Sequence, residues 1–336
     1  MVRDPVTDYE YPHTWVNACT DKQTLKLAAE GLGVLTSTGK VLKRGFTTGT
    51  TAAAACKAAV LSLKNRTESV DVKIPCGLIV TVPVKAINGT ASAWKYPGDY
   101  KGDVTAGLEF RAFAVEEQDT GISFSAGRGI GRFVRDTPRY KTGEPAISKP
   151  SRQSIKNAIQ EALTETGLKG IHVKLEIPEG VKTGKKTLNP KVGVEGGISV
   201  LGSTGLVEPW DDHLSESVFS RISSADKVVI TTGRIGLRYS RMLFPDHEVV
   251  LVGVNMQKGI DSAKGEIILC GLPALILKFI NPEILTDSGY KTVEEMTTSP
   301  EWMEIIKENL SEYKSDNQNI RVVIINRDGN TEGDSG

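Results

Sequence analysis

From residue 198 onward the sequence alternates short β-branched runs, at 198–201, 228–231, 249–252, 267–269 and 322–325, with segments of helix length. Parallel neighbours in a sheet can be joined only through long crossovers, usually helices, so this alternation calls for a mainly parallel sheet. No other feature restricts the architecture as strongly. Ahead of it the pattern differs. Residues 45–63, GFTTGTTAAAACKAAVLSL, open with Thr-rich capping candidates and continue as an Ala-rich run, which reads as a helix start and a helix. Two β-branched runs, 70–74 and 78–84, flank Pro75, Cys76 and Gly77 and read as strands joined by a short turn. Residues 151–166 have amphipathic helical spacing, and 172–177 read as a strand. The 336 residues exceed the usual size of one domain, roughly 100–200. The expectation is an α+β N-terminal domain over 1–190 and an α/β domain over 191–327, with a mainly parallel sheet and crossover helices. A flexible polar tail, 328–336, follows.

Lysine plus arginine equal aspartate plus glutamate at 41 each, so no overall field favours nucleic acid or an anionic membrane, and no stacking-aromatic pattern accompanies the basic residues. The longest apolar stretch, 267–280, is broken by Gly271, Pro273 and Lys278 and falls short of the roughly 20 residues of a bilayer span. The N-terminus, MVRDPVTDYEYPHTW, lacks the charged-then-apolar order of a signal peptide, so a cytoplasmic location is expected. Cys19, Cys56, Cys76 and Cys270 form no C-x-x-C pair, and His13, His172, His213 and His247 are not closely spaced. No protein-bound metal is expected. Self-association into a homo-oligomer is left open.

Two Gly-rich segments follow strands: Gly202-Ser203-Thr204-Gly205 after 198–201, and Thr231-Thr232-Gly233-Arg234-Ile235-Gly236 after 228–230. Glycines at strand ends suit a nucleoside-like ligand, since open α/β sheets bind outside their carboxyl edges; each segment reads equally as an ordinary tight turn. G-x-G-x-x-G is absent, and residues 180–187, GVKTGKKT, are one residue short of a P-loop. The helix start Thr47-Thr48-Gly49-Thr50 is either a carboxylate cradle or, more commonly, a plain N-cap. Between residues 128 and 156 lie Arg128, Arg132, Arg135, Arg139, Lys141, Lys149, Arg152 and Lys156, against only Asp136 and Glu144. This is either a surface for a polycarboxylate or a solvated face. Asp99, Asp103, Glu144 and Glu208 sit beside glycine or proline in loops. No nucleophile elbow is present, which argues against covalent catalysis.

Three stretches together resemble the cobalt-precorrin-5B C1-methyltransferase family of anaerobic cobalamin biosynthesis. They are Gly45-Phe46-Thr47-Thr48-Gly49-Thr50 with its Ala run, Gly143-Glu144-Pro145-Ala146-Ile147, and the long segment 196–209, GGISVLGSTGLVEP. Supporting matches include Gly98-Asp99, Asp103-Val104-Thr105, Gly127, Gly129 and Gly131, and Lys186-Thr187-Leu188-Asn189-Pro190. The resemblance implies methyl transfer from S-adenosylmethionine to C-1 of cobalt-precorrin-5B, giving cobalt-precorrin-6A and S-adenosylhomocysteine, with cobalt carried in the substrate's ring. On this reading Thr47, Thr48, Gly49, Thr50, Arg128, Arg132 and Asn189 face the corrinoid. Gly197, Ser199, Gly202, Ser203, Thr204, Gly205, Glu208, Thr231, Gly233 and Gly236 face the methyl donor. Asp103 and Glu144 are the candidates for moving a ring proton. The competing readings are a non-catalytic tetrapyrrole carrier, which needs no nucleoside site, and a phosphotransferase, which binds ATP instead.

Overall fold

The structure, a computed structural model, describes residues 2–137, 139–210 and 218–336. Its first layer is a six-stranded sheet ordered Thr67–Lys73, Ile79–Ile87, Thr90–Trp94, Glu109–Glu116, Gly170–Glu176, Gly121–Ala126. Neighbours are antiparallel except the last pair, which is parallel. Along Ile79–Ile87 the side chains alternate strictly between exposed and buried, the pattern of a sheet with one wet face. The turn to the next strand is Asn88-Gly89, both at positive φ, as a two-residue hairpin demands.

Helices Thr48–Leu61 and Lys149–Thr166 cover the inner face. The first is buried along nearly its whole length, with Ala52, Ala53, Ala54, Ala55, Ala58 and Ala59 packed among the sheet's Ala91, Ala93, Ala112 and Ala114. Small side chains on both partners let the helix lie close to the strands. The Ala run therefore reports burial on all sides as much as helix propensity.

The second sheet has five strands ordered Glu248–Leu251, Lys227–Thr231, Glu266–Gly271, Ile320–Ile325, Thr331–Asp334. The first four are parallel, as the alternating pattern predicts, and the last is antiparallel. Helices Val218–Ser224, Met256–Ser262, Pro273–Ile280 and Trp302–Asp316 bury one face around Val228, Ile230, Leu269 and Val322. The other face has helix Gly233–Leu243 and the N-terminal segment, whose Tyr9, Tyr11, Trp15, Val34 and Leu35 pack with Val229, Val249, Ile268 and Val323. A single 11-residue helix cannot cover a five-stranded sheet, and the N-terminal segment completes the cover. Arg238 donates to Thr7 Oγ1 at 2.6 Å and stacks over the Tyr239 ring, fastening the segment in place.

Three sequence-based expectations are corrected. Residues 328–336 are not a flexible tail: Thr331–Asp334 pairs with Ile320–Ile325, and Glu332 accepts from Trp302 Nε1. The division at 190/191 also moves. Gly197–Ile198 pairs with Gly129–Ile130, Leu206–Val207 pairs with Gly45–Phe46, and Ile198, Val200 and Leu206 lie in the first core. The run at 198–201 thus joins the first layer rather than the parallel sheet. Conversely, Tyr9, Tyr11, Trp15, Ala28, Val34, Leu35 and Val41, all from the N-terminal side, join the second sheet's cover.

Candidate functional site

Two helices begin with Thr-Thr-Gly, and the structure treats them oppositely. At the first, Thr47 caps helix Thr48–Leu61 by accepting from the Thr50 N–H. The remaining groups hold residues 199–205. Thr48 Oγ1 lies 3.0 Å from the Ser199 carbonyl and accepts from the Leu201 N–H at 2.9 Å. The Gly49 N–H donates to the Leu201 carbonyl at 3.0 Å, and Thr50 Oγ1 to the Gly205 carbonyl at 2.7 Å. A Cβ on Gly49 would stand 2.3 Å from Ser151 Oγ, and one on Gly202 2.3 Å from Thr47 Oγ1. The start of helix Lys149–Thr166 meets the same segment, with the Ser148 N–H donating to the Val200 carbonyl at 2.9 Å. Thr47, Thr48, Gly49 and Thr50 therefore form a socket for the chain itself, and the N-cap reading accounts for them.

Asn189 completes the socket. Its Nδ2 donates to the Gly197 carbonyl at 3.1 Å and its Oδ1 accepts from Ser199 Oγ at 3.0 Å. Gly197 packs backbone to backbone on Gly129, where a Cβ would come within 2.1 Å of a carbonyl oxygen. What the socket presents outward is Leu201 and Ser203, both exposed, with Gly202 and Thr204 half-buried.

The expected carboxylates differ in environment. Asp103 pairs with the buried Lys95 at 2.6 Å and accepts from the Thr105 N–H and hydroxyl. Burial alone would raise its pKa, but the Lys95 charge and these hydrogen bonds outweigh it and hold the carboxyl below its ordinary value. A carboxylate so held is a weak proton acceptor. Glu144 is exposed ahead of helix Lys149–Thr166. Glu208 contacts Arg44 Nε at 3.0 Å, and Arg44, 1% exposed, also forks onto Asp4 at 2.7 and 2.8 Å. Burial pushes the Glu208 carboxyl up, with Arg44 opposing, whereas hydrogen bonds and the charge of Arg44 overcome burial at Asp4 and pull it down. This charged node ties the N-terminal segment to the end of the socket segment.

Of the basic residues, Arg128 is exposed and makes no side-chain hydrogen bond among the described residues. Arg132 is braced on the carbonyls of Gly143 and Ala126. Lys149, Arg152 and Lys156 recur at helical spacing along one exposed stripe of helix Lys149–Thr166.

The second Thr-Thr-Gly start lies at the carboxyl edge of the parallel sheet. Strand Lys227–Thr231 continues through helix Gly233–Leu243 to Glu248–Leu251 on one side, and the chain then crosses to Glu266–Gly271 on the other. The order in which strands are added therefore reverses between Thr231 and Gly271, the switch point where open α/β sheets bind ligands. Thr231 and Thr232 are 0% and 7% exposed, and neither hydroxyl has a partner among the described residues. Thr231 Oγ1 sits 2.3 Å from where a Cβ on Gly236 would be and 3.7 Å from that of Gly271. Gly233, at φ +72°, faces open space bounded by Leu275. Gly253 and Gly271, which close the neighbouring strands, were not among the expected site residues. Both carry the same signal, glycine after an apolar run, though within 267–280 Gly271 reads as a break in an apolar stretch. Among the described residues, no three His, Cys, Asp or Glu side chains converge on a metal-sized site, and His213 lies outside them.

The model of the CbiD family matches residues 35–209. Across 335 residues, 99% of either chain, the sequence is 52% identical to the cobalt-precorrin-5B C(1)-methyltransferase of Methanoculleus marisnigri. It is 56% identical over 328 residues, 98% of either chain, to the protein of that name from Methanoregula boonei. The chain belongs to the CbiD family. The crystal structure of cobalamin biosynthesis protein CbiD from Archaeoglobus fulgidus matches it with a TM-score of 0.56 at 35% identity, covering 97% of this chain and 100% of that one. The CbiD match ends at residue 209, so it takes in the socket and leaves the parallel sheet to the full-length relatives.

Proposed function

We propose that this chain is a cobalt-precorrin-5B C(1)-methyltransferase that takes its methyl group from S-adenosylmethionine and works in the cytoplasm. The observation that carries the reading is near-complete alignment at about half identity with relatives of that name. Among the described residues no helix is long and apolar enough to cross a membrane.

The donor is assigned to the switch point. Its open glycine, exposed edge and uncommitted hydroxyls of Thr231 and Thr232 fit a polar nucleoside-like molecule, whereas the Thr47–Thr50 start has no comparable free group. The corrinoid, with its many carboxylates, is assigned to the exposed basic surface of Arg128, Arg132, Lys149, Arg152 and Lys156. Methyl transfer from a sulfonium to carbon is an in-line displacement. C-1 supplies the electron pair, the methyl–sulfur bond breaks onto sulfur, and S-adenosylhomocysteine leaves. The protein's work is to align the two molecules and exclude water. Glu144, exposed beside the basic surface, is the proposed acceptor of a proton from the ring, while Asp103 serves as a fixed charge.

The test is anaerobic incubation with cobalt-precorrin-5B and methyl-labelled S-adenosylmethionine, followed by mass spectrometry of the tetrapyrrole. Label at C-1 is expected. An unlabelled ring that nonetheless remains bound, with an active relative as control, would favour a carrier instead.

A further inference from the structure

Helix Gly233–Leu243 begins in a way that isolated helices avoid. The positive end of a helix dipole favours acidic side chains, yet this first turn carries no acidic residue and bears Arg234. Arg234 is exposed and has no hydrogen-bond or ion-pair partner among the described residues. Thr232 stands at the N-cap position, where a threonine normally accepts from the helix's own N–H groups, but makes no cap hydrogen bond. Its hydroxyl and that of Thr231 are buried and unpartnered. Buried hydroxyls without partners are costly, and a cation at the positive end of a helix is disfavoured. An anion bound at this helix start would accept from the N–H groups of the first turn and from the Thr232 hydroxyl and would pair with the guanidinium.

We infer that Thr232, the amide groups from Gly233 onward and Arg234 form a carboxylate-binding subsite at the switch point. The planar guanidinium suits a carboxylate, and the space beside Gly233 is open to receive one. This rests on the donor assignment above and deepens it: the amino-acid tail of the methyl donor supplies one such carboxylate. A peripheral acetate or propionate of the tetrapyrrole is the other source of the same chemistry.

The test compares wild type with Arg234→Gln and Thr232→Val by calorimetric titration of four probes. These are S-adenosylhomocysteine, 5′-methylthioadenosine, which lacks the amino-acid tail, cobyrinic acid, and its heptamethyl ester. The expected result is a loss of roughly tenfold to a hundredfold for S-adenosylhomocysteine, with 5′-methylthioadenosine bound as before. The same loss for cobyrinic acid, sparing the ester, also supports the subsite and assigns it to the ring. Unchanged binding of all four probes by both variants overturns it. So does an equal loss for S-adenosylhomocysteine and 5′-methylthioadenosine, which would make the loop a nucleoside contact only. Wild type that binds neither adenosyl compound defeats the donor assignment instead, and the cobyrinic acid pair then decides the subsite alone. Because Arg234 is exposed and unpartnered, its substitution leaves thermal unfolding in place, and Thr232→Val gives an independent readout.

Discussion

The chain writes Thr-Thr-Gly twice at a helix start, at Thr47-Thr48-Gly49 and at Thr231-Thr232-Gly233, and the two copies do different work. At the first, hydroxyls and amides are consumed by the carbonyls and amides of residues 199–205, and glycine is required because side chains crowd it. At the second, the hydroxyls are equally buried but unpartnered, and glycine opens onto free space. What separates an anchor from a ligand site is thus whether a neighbouring segment completes the hydrogen bonds. Composition alone does not say.

The contrast is sharpest where stability is at stake. The socket side is fastened to the N-terminal segment through Arg44, so Arg44→Leu should leave buried Asp4 and half-buried Glu208 without their counter-charge. The expected cost is about 3–5 kcal/mol in chemical denaturation. A cost near zero would mean the node is not holding the segments together. Asp103→Asn comes next, at the lower end of the same range, since it breaks the buried pair with Lys95. Because the folded pKa of Asp103 lies below its unfolded value, its contribution is present at neutral pH and is lost as pH falls through the folded value. The variant and wild type should therefore converge in stability under strong acid, which denaturation curves across the range from pH 7 to about pH 2 will check.

The matched pair Thr48→Val and Thr231→Val probes the comparison itself. Thr48→Val strands the Ser199 carbonyl and the Leu201 N–H and should cost about 1–3 kcal/mol. Thr231→Val removes a hydroxyl that has no partner and should leave stability unchanged or raise it by up to about 1 kcal/mol. Equal losses for the two would erase the distinction between socket and crevice.

Much of this architecture was legible in sequence because it rests on periodicity. The β-branched runs at 228–231, 249–252, 267–269 and 322–325 are the four parallel strands. The failures came where pairing is long-range. Residues 198–201 look like any strand before a glycine loop, and only the bonds that Thr48 and Gly49 donate to them, and the one the Ala146 carbonyl accepts from Val200, reveal that they belong to the first layer. The polar tail at 328–336 carries no apolar pattern, yet it finds an edge strand to pair with. Of the candidate site, the loop Thr231–Gly236 was visible as glycine after a strand, whereas the isolation of its hydroxyls is a property of what does not pack against it.

Hydrogen–deuterium exchange of the full chain with and without S-adenosylhomocysteine tests the central claim most directly. The account predicts added protection at the amides of residues 232–236 and 271–275, with residues 47–51 and 199–205 already protected in the free protein and little changed. Ligand-dependent protection confined to 47–51 and 199–205, with none at 232–236, would contradict it.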